Sequence, residues 1–374
     1  MRWLVKYQSR PTCQDIYMTE KMRQITQAEA IREALEQAMS EDDRVILIGE
    51  GVPDPKGIFG TTSGLQEHFG KARVFDMPLA ENGMTGICIG AAISGLRPVM
   101  VHQRIDFALL CMDQLVNNAA KWRYMFAGQV NVPLVVRVIV GRGWGQGPQH
   151  AQSLQAMFAH VPGLKVVMPS SGYDAKGMLL SAIRDNNPVI FIEHRWLHGI
   201  VDDVPSAPYT VPLDKAAIRR AGKDATVVAF SFMVVEALLA ANALADLGID
   251  LEVLDARSVR PLDMATIVES VMHTGTLIVA DTSWKTGGIA GEVMAGVTES
   301  AFDFLRRPPL RIALPDLPAP TSHYLSRDYY PDALYLARAI AAHLGVAVSD
   351  ADLVRRLSRS TPHDVPQREF RGPF

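Results

Sequence analysis

The 374-residue chain has few cysteines, little net charge and no long apolar run. Its three cysteines, Cys13, Cys88 and Cys111, are widely spaced and odd in number, which argues against a disulfide framework or a zinc site and fits a reducing cytoplasm. The formal net charge is only -3 and no local Lys/Arg block occurs, so nothing favours binding to nucleic acid or an anionic membrane. The sequence contains no stretch of about 18 apolar residues, so we predict no membrane span. We therefore expect a cytoplasmic protein with neither nucleic-acid nor membrane partners.

The first 21 residues also lack two common patterns. They contain no continuous apolar stretch of the kind found in a secretory signal, and no helical periodicity. We predict a loose N-terminal extension over residues 1–21, with Met22 as an alternative start to Met1.

From residue 22 onward, apolar strand patterns alternate with helical patterns. Thr26 followed by Glu29 predicts a capping box at the start of a helix over 25–39. Continuous apolar segments such as 45–49 and 133–140 predict strands that are buried on both faces of a parallel sheet. The pattern is typical of an α/β fold with two doubly wound domains. The predicted boundaries are an extension over 1–21, a first domain over 22–200, a linker over 201–213, a second domain over 214–346 and a half-ordered tail over 347–374.

Glu81 is the first candidate for chemistry. It lies between a short strand and a small-residue helix predicted over 83–95, and strand ends of α/β folds often present functional groups. A carboxylate in front of an almost wholly apolar segment is expected to be partly desolvated. From periodicity alone, a structural acid stabilised by the dipole at a helix N-terminus is the more frequent explanation.

The second candidate is the glycine-rich stretch 141–147, which follows a strong strand and leads to His150. Its G-x-G-x-G-x-G spacing, followed by Pro148, does not fit a dinucleotide loop. His150 could act as a general acid or base near neutral pH, although a lone histidine is more often structural. Further along, His194, Arg195 and His198 follow a strand, and a solvated loop explains this polar cluster as well as a substrate site does.

Several long motifs, in order, resemble one family. They are PLAENGMTGICIGAAISGLRPV, MDQLVNNAAKWRYM, GPQHAQSLQAMFAHVPGLKVVMPSSGYDAKGMLLSAIRDNNPVIFIE and RSVRPLD. Over residues 22–344 the chain is similar to beta subunits of the thiamine-diphosphate-dependent 2-oxoacid dehydrogenases, which include the pyruvate, acetoin and branched-chain enzymes. The resemblance implies a transketolase-like pyrimidine-binding domain followed by a transketolase C-terminal domain. It also implies an alpha2-beta2 heterotetramer with the cofactor between the subunits.

The resemblance assigns roles to individual residues. It implies that Glu81 hydrogen-bonds the ring nitrogen of the aminopyrimidine, that Phe107 stacks on this ring and that Leu79 contacts it. His150 matches a histidine near the substrate that is implicated in acyl transfer to lipoyl groups. Glu81 and His150 are thus the expected catalytic residues.

The resemblance also implies a structural site for a monovalent cation such as K⁺. The matching positions are Leu134, Ala182, Asp185 and Asn187. For Mg²⁺, one absence is informative, because no Gly-Asp-Gly occurs in the chain. Thiamine enzymes normally hold Mg²⁺ and the diphosphate with that motif and a downstream Asn. The alpha subunit is therefore expected to supply both.

Three segments depart from the family pattern. The stretch 101–106 is unusually polar, the loop GRGWGQG replaces an Ala/Gly-rich one, and GVPDPKGIFGTT is also unusual. All three are expected near the cofactor or its entrance, where an arginine could pair with a carboxylate or phosphate of an unusual substrate. In the family the beta C-terminus helps to dock a lipoyl-bearing acyltransferase core, and the tail beyond residue 347 displaces that terminus here.

The leading interpretation is the beta subunit of an oxidoreductase. With an alpha chain it would decarboxylate pyruvate or a related 2-oxoacid and pass the acyl group to a lipoyl domain. An alternative is a split transketolase-like or carboligating enzyme without a lipoyl partner, which the polar 102–106 stretch and the tail favour somewhat. A catalytically silent scaffold is a third, against which the presence of Glu81, Phe107 and His150 argues.

Overall fold

The computed structural model describes residues 22–143, 145–359, 361–363 and 365, so the predicted extension over 1–21 and Cys13 lie outside the described residues. The strands are β1 Met22–Thr26, β2 Val45–Gly49, β3 Val74–Phe75, β4 Arg97–His102, β5 Val135–Val140, β6 Lys165–Val167, β7 Val189–His194, β8 Val201–Pro205, β9 Ala217–Arg220, β10 Ala225–Ala229, β11 Leu251–Asp255, β12 Ser258–Arg260, β13 Leu277–Trp284 and β14 Leu310–Leu314.

The α-helices alternate with these strands. They are α1 Gln27–Glu41, α2 Leu65–Phe69, α3 Glu81–Ile93, α4 Ile105–Ala108, α5 Ala120–Met125, α6 Gln155–Ala159, α7 Gly172–Arg184, α8 Phe232–Ala245, α9 Met264–Thr274, α10 Ile289–Ala301, α11 His323–Ser326, α12 Ala333–Leu344 and α13 Asp350–Leu357. Helical turns of other types cover Ile58–Gly60, Leu109–Cys111, Gln114–Ala119 and Phe302–Phe304. None of the described helices is long and apolar enough to cross a membrane.

The first sheet has seven strands in the order β12-β6-β7-β5-β4-β2-β3. All neighbours pair in parallel except β12, which joins the edge antiparallel to β6. Strand β5 shows that the sheet is covered on both faces. Val136 and Val138 lie in one apolar core, while Val135 and Ile139 lie in the other. The predicted doubly wound parallel sheet is confirmed.

The second sheet has five strands in the order β14-β13-β10-β11-β9, parallel except for the edge strand β9. Helices α8, α12 and α13 cover one face, where Ala240, Leu336 and Leu353 are buried. The other face, with Val228 and Val279, belongs to the same apolar cluster as the first sheet. The two sheets therefore share a continuous core.

The start of α1 has the predicted capping box. The amide of Glu29 donates to the Thr26 hydroxyl (3.2 Å), and the Thr26 amide donates to the Glu29 carboxylate (2.7 Å). The helix begins at Gln27, two residues later than predicted, because the chain before it is extended in β1.

Two regions contain regular structure that the sequence did not predict. The residues predicted to form a linker include β8, which pairs antiparallel with β1 in a two-stranded sheet. The tail predicted to be half-ordered includes α13, whose Leu353 is buried and whose Asp350 forms an ion pair with Arg338 (2.6 Å). Strand β8 is short and its pairing partner is distant in the sequence, which local patterns cannot reveal. Helix α13 carries a local signal that the polar composition of the tail obscured, because the Ser349 hydroxyl caps its N-terminus by accepting from the Asp352 amide (3.3 Å).

Gly163, just before β6, has a conformation that only glycine fits. Its φ is +102°, and an added Cβ would lie 1.9 Å from the carbonyl oxygen of Ala120. We expect Gly163→Ala to destabilise the protein by roughly 3 kcal/mol, since backbone strain and overlap with fixed backbone add. Gly128→Ala is the control, because its φ is +79° but no atom lies within 4 Å of the added Cβ. Calorimetric melting of the assembled protein measures both, and equal melting temperatures would refute the overlap argument.

Candidate active site

The candidate site lies at the carboxyl edge of the first sheet, where β2, β3, β4 and β5 end. Glu81 is the first residue of α3 and is 8% exposed, so the helix begins two residues before its predicted start. No hydrogen bond from another described residue reaches its carboxylate, while its main-chain carbonyl accepts from the hydroxyl of Thr85 (2.7 Å). A mostly buried carboxylate without a donor is available to a ligand proton.

Two further carboxylates that sequence reasoning missed lie close to Glu81. Glu50 follows β2 directly, and Asp76 follows β3 directly. Asp76 Oδ1 accepts from the amides of Gly51 (3.0 Å) and Met77 (2.9 Å). Burial, and then the negative charges of Glu81 and Asp76, raise the pKa of Glu50. Both acids could have been found from the sequence, because each is among the first residues after a strand on the edge that carries Glu81.

The structure brings Phe107 and His150 together. Their rings meet edge to face with centroids 5.5 Å apart, although 43 residues separate them in the sequence. Next to Phe107, burial raises the pKa of Asp106, while a hydrogen bond from Gln152 (2.7 Å) and the nearby His150 oppose that effect. An acid and an imidazole therefore lie beside the aromatic ring.

Leu79 is two residues before Glu81 and is 82% exposed. A large apolar side chain this exposed is free to contact a ligand or a partner chain. The structure therefore places an apolar group, a carboxylate and an aromatic edge along one side of the sheet.

The cluster of His194, Arg195 and His198 is buried, so the solvated-loop interpretation is wrong. His194 stacks on Phe232 with ring centroids 4.9 Å apart, and burial holds its pKa well below the ordinary histidine range. His198 Nε2 lies 3.1 Å from a carboxylate oxygen of Glu193. The sequence could not show this burial, because the second domain covers the cluster through α8.

The four residues of the predicted cation site lie together at the opposite edge of the first sheet. The carbonyl of Leu134 accepts from the Val189 amide (2.9 Å), and the carbonyl of Ala182 accepts from the Asp185 amide (3.3 Å). Asn187 donates to Asp185 Oδ1 through its amide (2.8 Å) and side chain (2.7 Å). A cation bound by these residues stays a prediction.

The ammonium of Lys165 pairs with the Asp185 carboxylate. Burial alone would raise the pKa of Asp185, but hydrogen bonds from Lys165 and Asn187, together with the charge of Lys165, outweigh it and the pKa is lowered. The ammonium of Lys165 thus already forms an ion pair with the carboxylate that would bind the cation. Within the described part of the chain, no group of three or more His, Cys, Asp or Glu side chains could hold a metal ion.

Comparison with known families and proteins agrees with this architecture. Residues 23–199 match the transketolase pyrimidine-binding domain, and residues 214–334 match the transketolase C-terminal domain. A solved structure described as a split-gene transketolase, inactive beta4 tetramer, matches with a TM-score of 0.71 and 22% identity over 86% of this chain and 99% of that chain. That likeness shows the fold.

Curated relatives are more similar in sequence. The chain is 43% identical over 320 residues to the beta subunit of acetoin:2,6-dichlorophenolindophenol oxidoreductase of Cupriavidus necator, covering 83% of this chain and 94% of that protein. It is 43% identical over 297 residues to the pyruvate dehydrogenase E1 component subunit beta of Rickettsia conorii, covering 79% and 91%. The mitochondrial subunit beta-2 of that component from Oryza sativa is 43% identical over 321 residues, covering 85% of each chain. The chain belongs to the family of pyruvate and acetoin dehydrogenase E1 beta subunits, which are built from transketolase pyrimidine-binding and C-terminal domains.

Proposed function

We propose that this chain, together with an alpha subunit, decarboxylates a 2-oxoacid and passes the acyl group to a lipoyl domain. Pyruvate is the substrate that the names of two of these relatives indicate, whereas the third is named for acetoin. The observation that carries the proposal is the buried carboxylate of Glu81, which has no described donor and lies in a chain without Gly-Asp-Gly. Such a chain holds one half of a thiamine site.

The residues present fit the aminopyrimidine half of thiamine diphosphate. Glu81 offers an acceptor to a ring nitrogen, and Leu79 and Phe107 offer apolar and aromatic surface beside it. When bound, this cofactor supplies a nucleophilic carbon and a sink for the electrons released by decarboxylation. Glu81 would hold or release a proton at its carboxylate, and Leu79 and Phe107 would offer apolar surface to the bound ring. His150 can move a proton at its imidazole, which lies near the carboxylate of Asp106.

Several parts of the assembly belong to the same proposal. The alpha subunit supplies Mg²⁺ and holds the diphosphate, because this sequence lacks the motif that does so. The complex is an alpha2-beta2 heterotetramer that works with a lipoyl-bearing acyltransferase core, and K⁺ is the ion proposed for the site near Asp185. A cytoplasmic location is proposed from the cysteine usage, whereas the plant relatives are named as mitochondrial.

The test is co-expression with an alpha chain that contains Gly-Asp-Gly and a downstream Asn. Reduction of a dye with pyruvate, thiamine diphosphate and Mg²⁺ should require both chains, and a lipoyl domain should become reductively acylated. Decarboxylation or carboligation without lipoyl acylation would instead support a transketolase-like enzyme. Absence of cofactor-dependent turnover in the assembled complex would refute the proposal.

His150 should matter more for acyl transfer than for decarboxylation. His150→Asn keeps a hydrogen-bonding side chain but removes the imidazole that can accept and donate a proton. We expect the rate of lipoyl acylation to fall about 100-fold, because a positioned acid or base contributes about that much, with a smaller effect on dye reduction. The two assays on one preparation measure the difference. His160→Asn, at the end of α6, is the control, and equal losses in both assays would contradict the assignment.

A further inference from the structure

Two arginines lie buried beside the same aromatic ring at the carboxyl edge of the first sheet. Arg104 precedes α4 and is 6% exposed, and Arg195 follows β7 and is 3% exposed. Their guanidinium carbons lie 5.8 Å and 5.3 Å from the ring centroid of Phe59. Phe59 has a φ of +54°, a conformation that costs energy for an aromatic residue. The fold therefore maintains a strained aromatic support for two cations.

Arg104 lies close enough to Arg195 for its charge to disfavour the charged form of Arg195. Burial, and then the charge of Arg104, lower the pKa of Arg195 to about 9. Burial also lowers the pKa of Arg104, while Asp106 opposes this effect. No described acid forms an ion pair with Arg104, and its Nη1 is buried without a hydrogen-bond partner among the described residues. A bound anion would relieve both the repulsion and the lost solvation.

This pair borders the candidate active site. Arg195 Nη1 donates to the side-chain oxygen of Gln146 (3.3 Å), which lies in the loop that ends at His150. Arg104 precedes the helix that carries Phe107, and the carbonyl of Arg104 accepts from the Phe107 amide (3.2 Å). Phe107 in turn contacts His150. The arginines thus border the part of the candidate site that contains Phe107 and His150.

We propose that Arg104 and Arg195 bind an anionic group, a carboxylate or a phosphate, at the far end of the 2-oxoacid. The enzyme should then prefer a 2-oxoacid with a second acidic group over pyruvate. This inference rests on the proposed function and names its substrate class. Guanidinium groups bind carboxylate and phosphate through paired hydrogen bonds, and a neutral tail would leave Arg104 Nη1 without an acceptor, so the site selects against it.

Matched substrates test the preference in the complex with the alpha chain. 2-Oxoglutarate and 2-oxopentanoate have the same carbon chain and differ in the second carboxylate, and 4-phosphono-2-oxobutanoate replaces that carboxylate by a phosphonate. We expect kcat/KM to be about 100-fold higher for one of the acidic substrates than for 2-oxopentanoate, mainly through KM. Which acidic substrate is better distinguishes a carboxylate from a phosphate ligand.

Variants connect the preference to the two arginines. Arg104→Met and Arg195→Met should each reduce the ratio of kcat/KM between acidic and neutral substrates about 100-fold, and Arg104→Lys should retain part of it through its charge. Arg355→Met, which removes an exposed arginine from α13, should leave the ratio unchanged. A ratio near one in the unmodified enzyme that no variant alters would overturn the proposal.

A binding experiment separates this inference from the proposed function. Glutarate carries two carboxylates but no 2-oxo group, so calorimetric titration of the complex at constant ionic strength needs no turnover. Binding that disappears in Arg104→Met would support the anion site even if no 2-oxoacid were decarboxylated. No glutarate binding, together with weaker alpha–beta association in Arg104→Met, would show that an acid of the alpha chain meets the arginines, and would overturn the proposal.

Discussion

Glu81→Gln is expected to lower kcat of the assembled enzyme by about a thousandfold while leaving the fold intact. The substitution keeps the size and the acceptor oxygen of the side chain but removes its ability to exchange a proton, and a positioned acid or base contributes about 100- to 10,000-fold to a rate. The effect should be large because the carboxylate is mostly buried and no described residue nearby donates a hydrogen bond to it. Dye reduction with a saturating 2-oxoacid, thiamine diphosphate and Mg²⁺ measures the loss.

The control is Glu67→Gln, which removes the same charge from the exposed surface of α2 and should leave kcat unchanged. Calorimetric titration with thiamine diphosphate adds a readout independent of turnover, and Glu81→Gln should weaken the binding of the cofactor about tenfold or more. Full activity of Glu81→Gln in the assembled complex would remove Glu81 from the site and would make the scaffold interpretation the leading one.

Much of the fold could be predicted because it depends on local patterns. The buried strands of the first sheet are continuous apolar segments, and the strands predicted over 45–49 and 133–140 correspond to β2 and β5. The strands β8 and β12 could not be predicted, because their pairing partners lie 175 or more and about 90 residues away in the sequence. Pairing across such separations is a tertiary effect that propensity does not record.

Part of the candidate site could likewise be predicted from the sequence, and part could not. Glu81 could be selected because a strand end, an acid and an apolar helix follow one another directly in the sequence. The contact of Arg104 and Arg195 with the Phe59 ring could not be predicted, since the three residues lie in three separate segments of the chain. The resemblance indicated an arginine near the entrance only through the polarity of residues 101–106. The structure shows that Arg195 is the second cation and that it lies beside the same ring as Arg104.

Beneath this entrance lies a fully buried ion pair between adjacent strands. Arg137 of β5 donates to both carboxylate oxygens of Glu193 of β7, at 2.5 Å and 2.9 Å, and to the hydroxyl of Thr61 (2.8 Å). His198 lies 3.1 Å from the same carboxylate. Burial alone would raise the pKa of Glu193, but the charge of Arg137 and hydrogen bonds from His198 and Arg137 outweigh it, and the pKa falls to about 2.

Arg137→Met is expected to destabilise the protein by about 3–5 kcal/mol, because it leaves the carboxylate of Glu193 buried without its charged partner. For a domain of this size the melting temperature should fall by roughly 10 °C, measured by calorimetry of the assembled enzyme. Arg184→Met is the control, since it breaks an exposed ion pair with Glu41 (2.6 Å) that should contribute less than about 1 kcal/mol. Similar losses in the two variants would show that burial does not determine the effect.

The double variant Arg137→Met with Glu193→Gln should recover part of the lost stability, because no uncompensated charge remains buried.

The ion pair between Arg137 and Glu193 also makes the stability of the protein depend on pH in acid. Glu193 has a folded-state pKa of about 2, below its ordinary value of 4.5, so its contribution to stability is present above pH 4.5 and is lost as the pH falls towards 2. Melting temperatures between pH 6 and the lowest pH that the folded complex tolerates should therefore decline more steeply in the unmodified enzyme than in the double variant. Parallel declines would mean that other carboxylates determine acid unfolding. A steeper decline in the unmodified enzyme would show that the ion pair between Arg137 and Glu193 contributes to stability in acid.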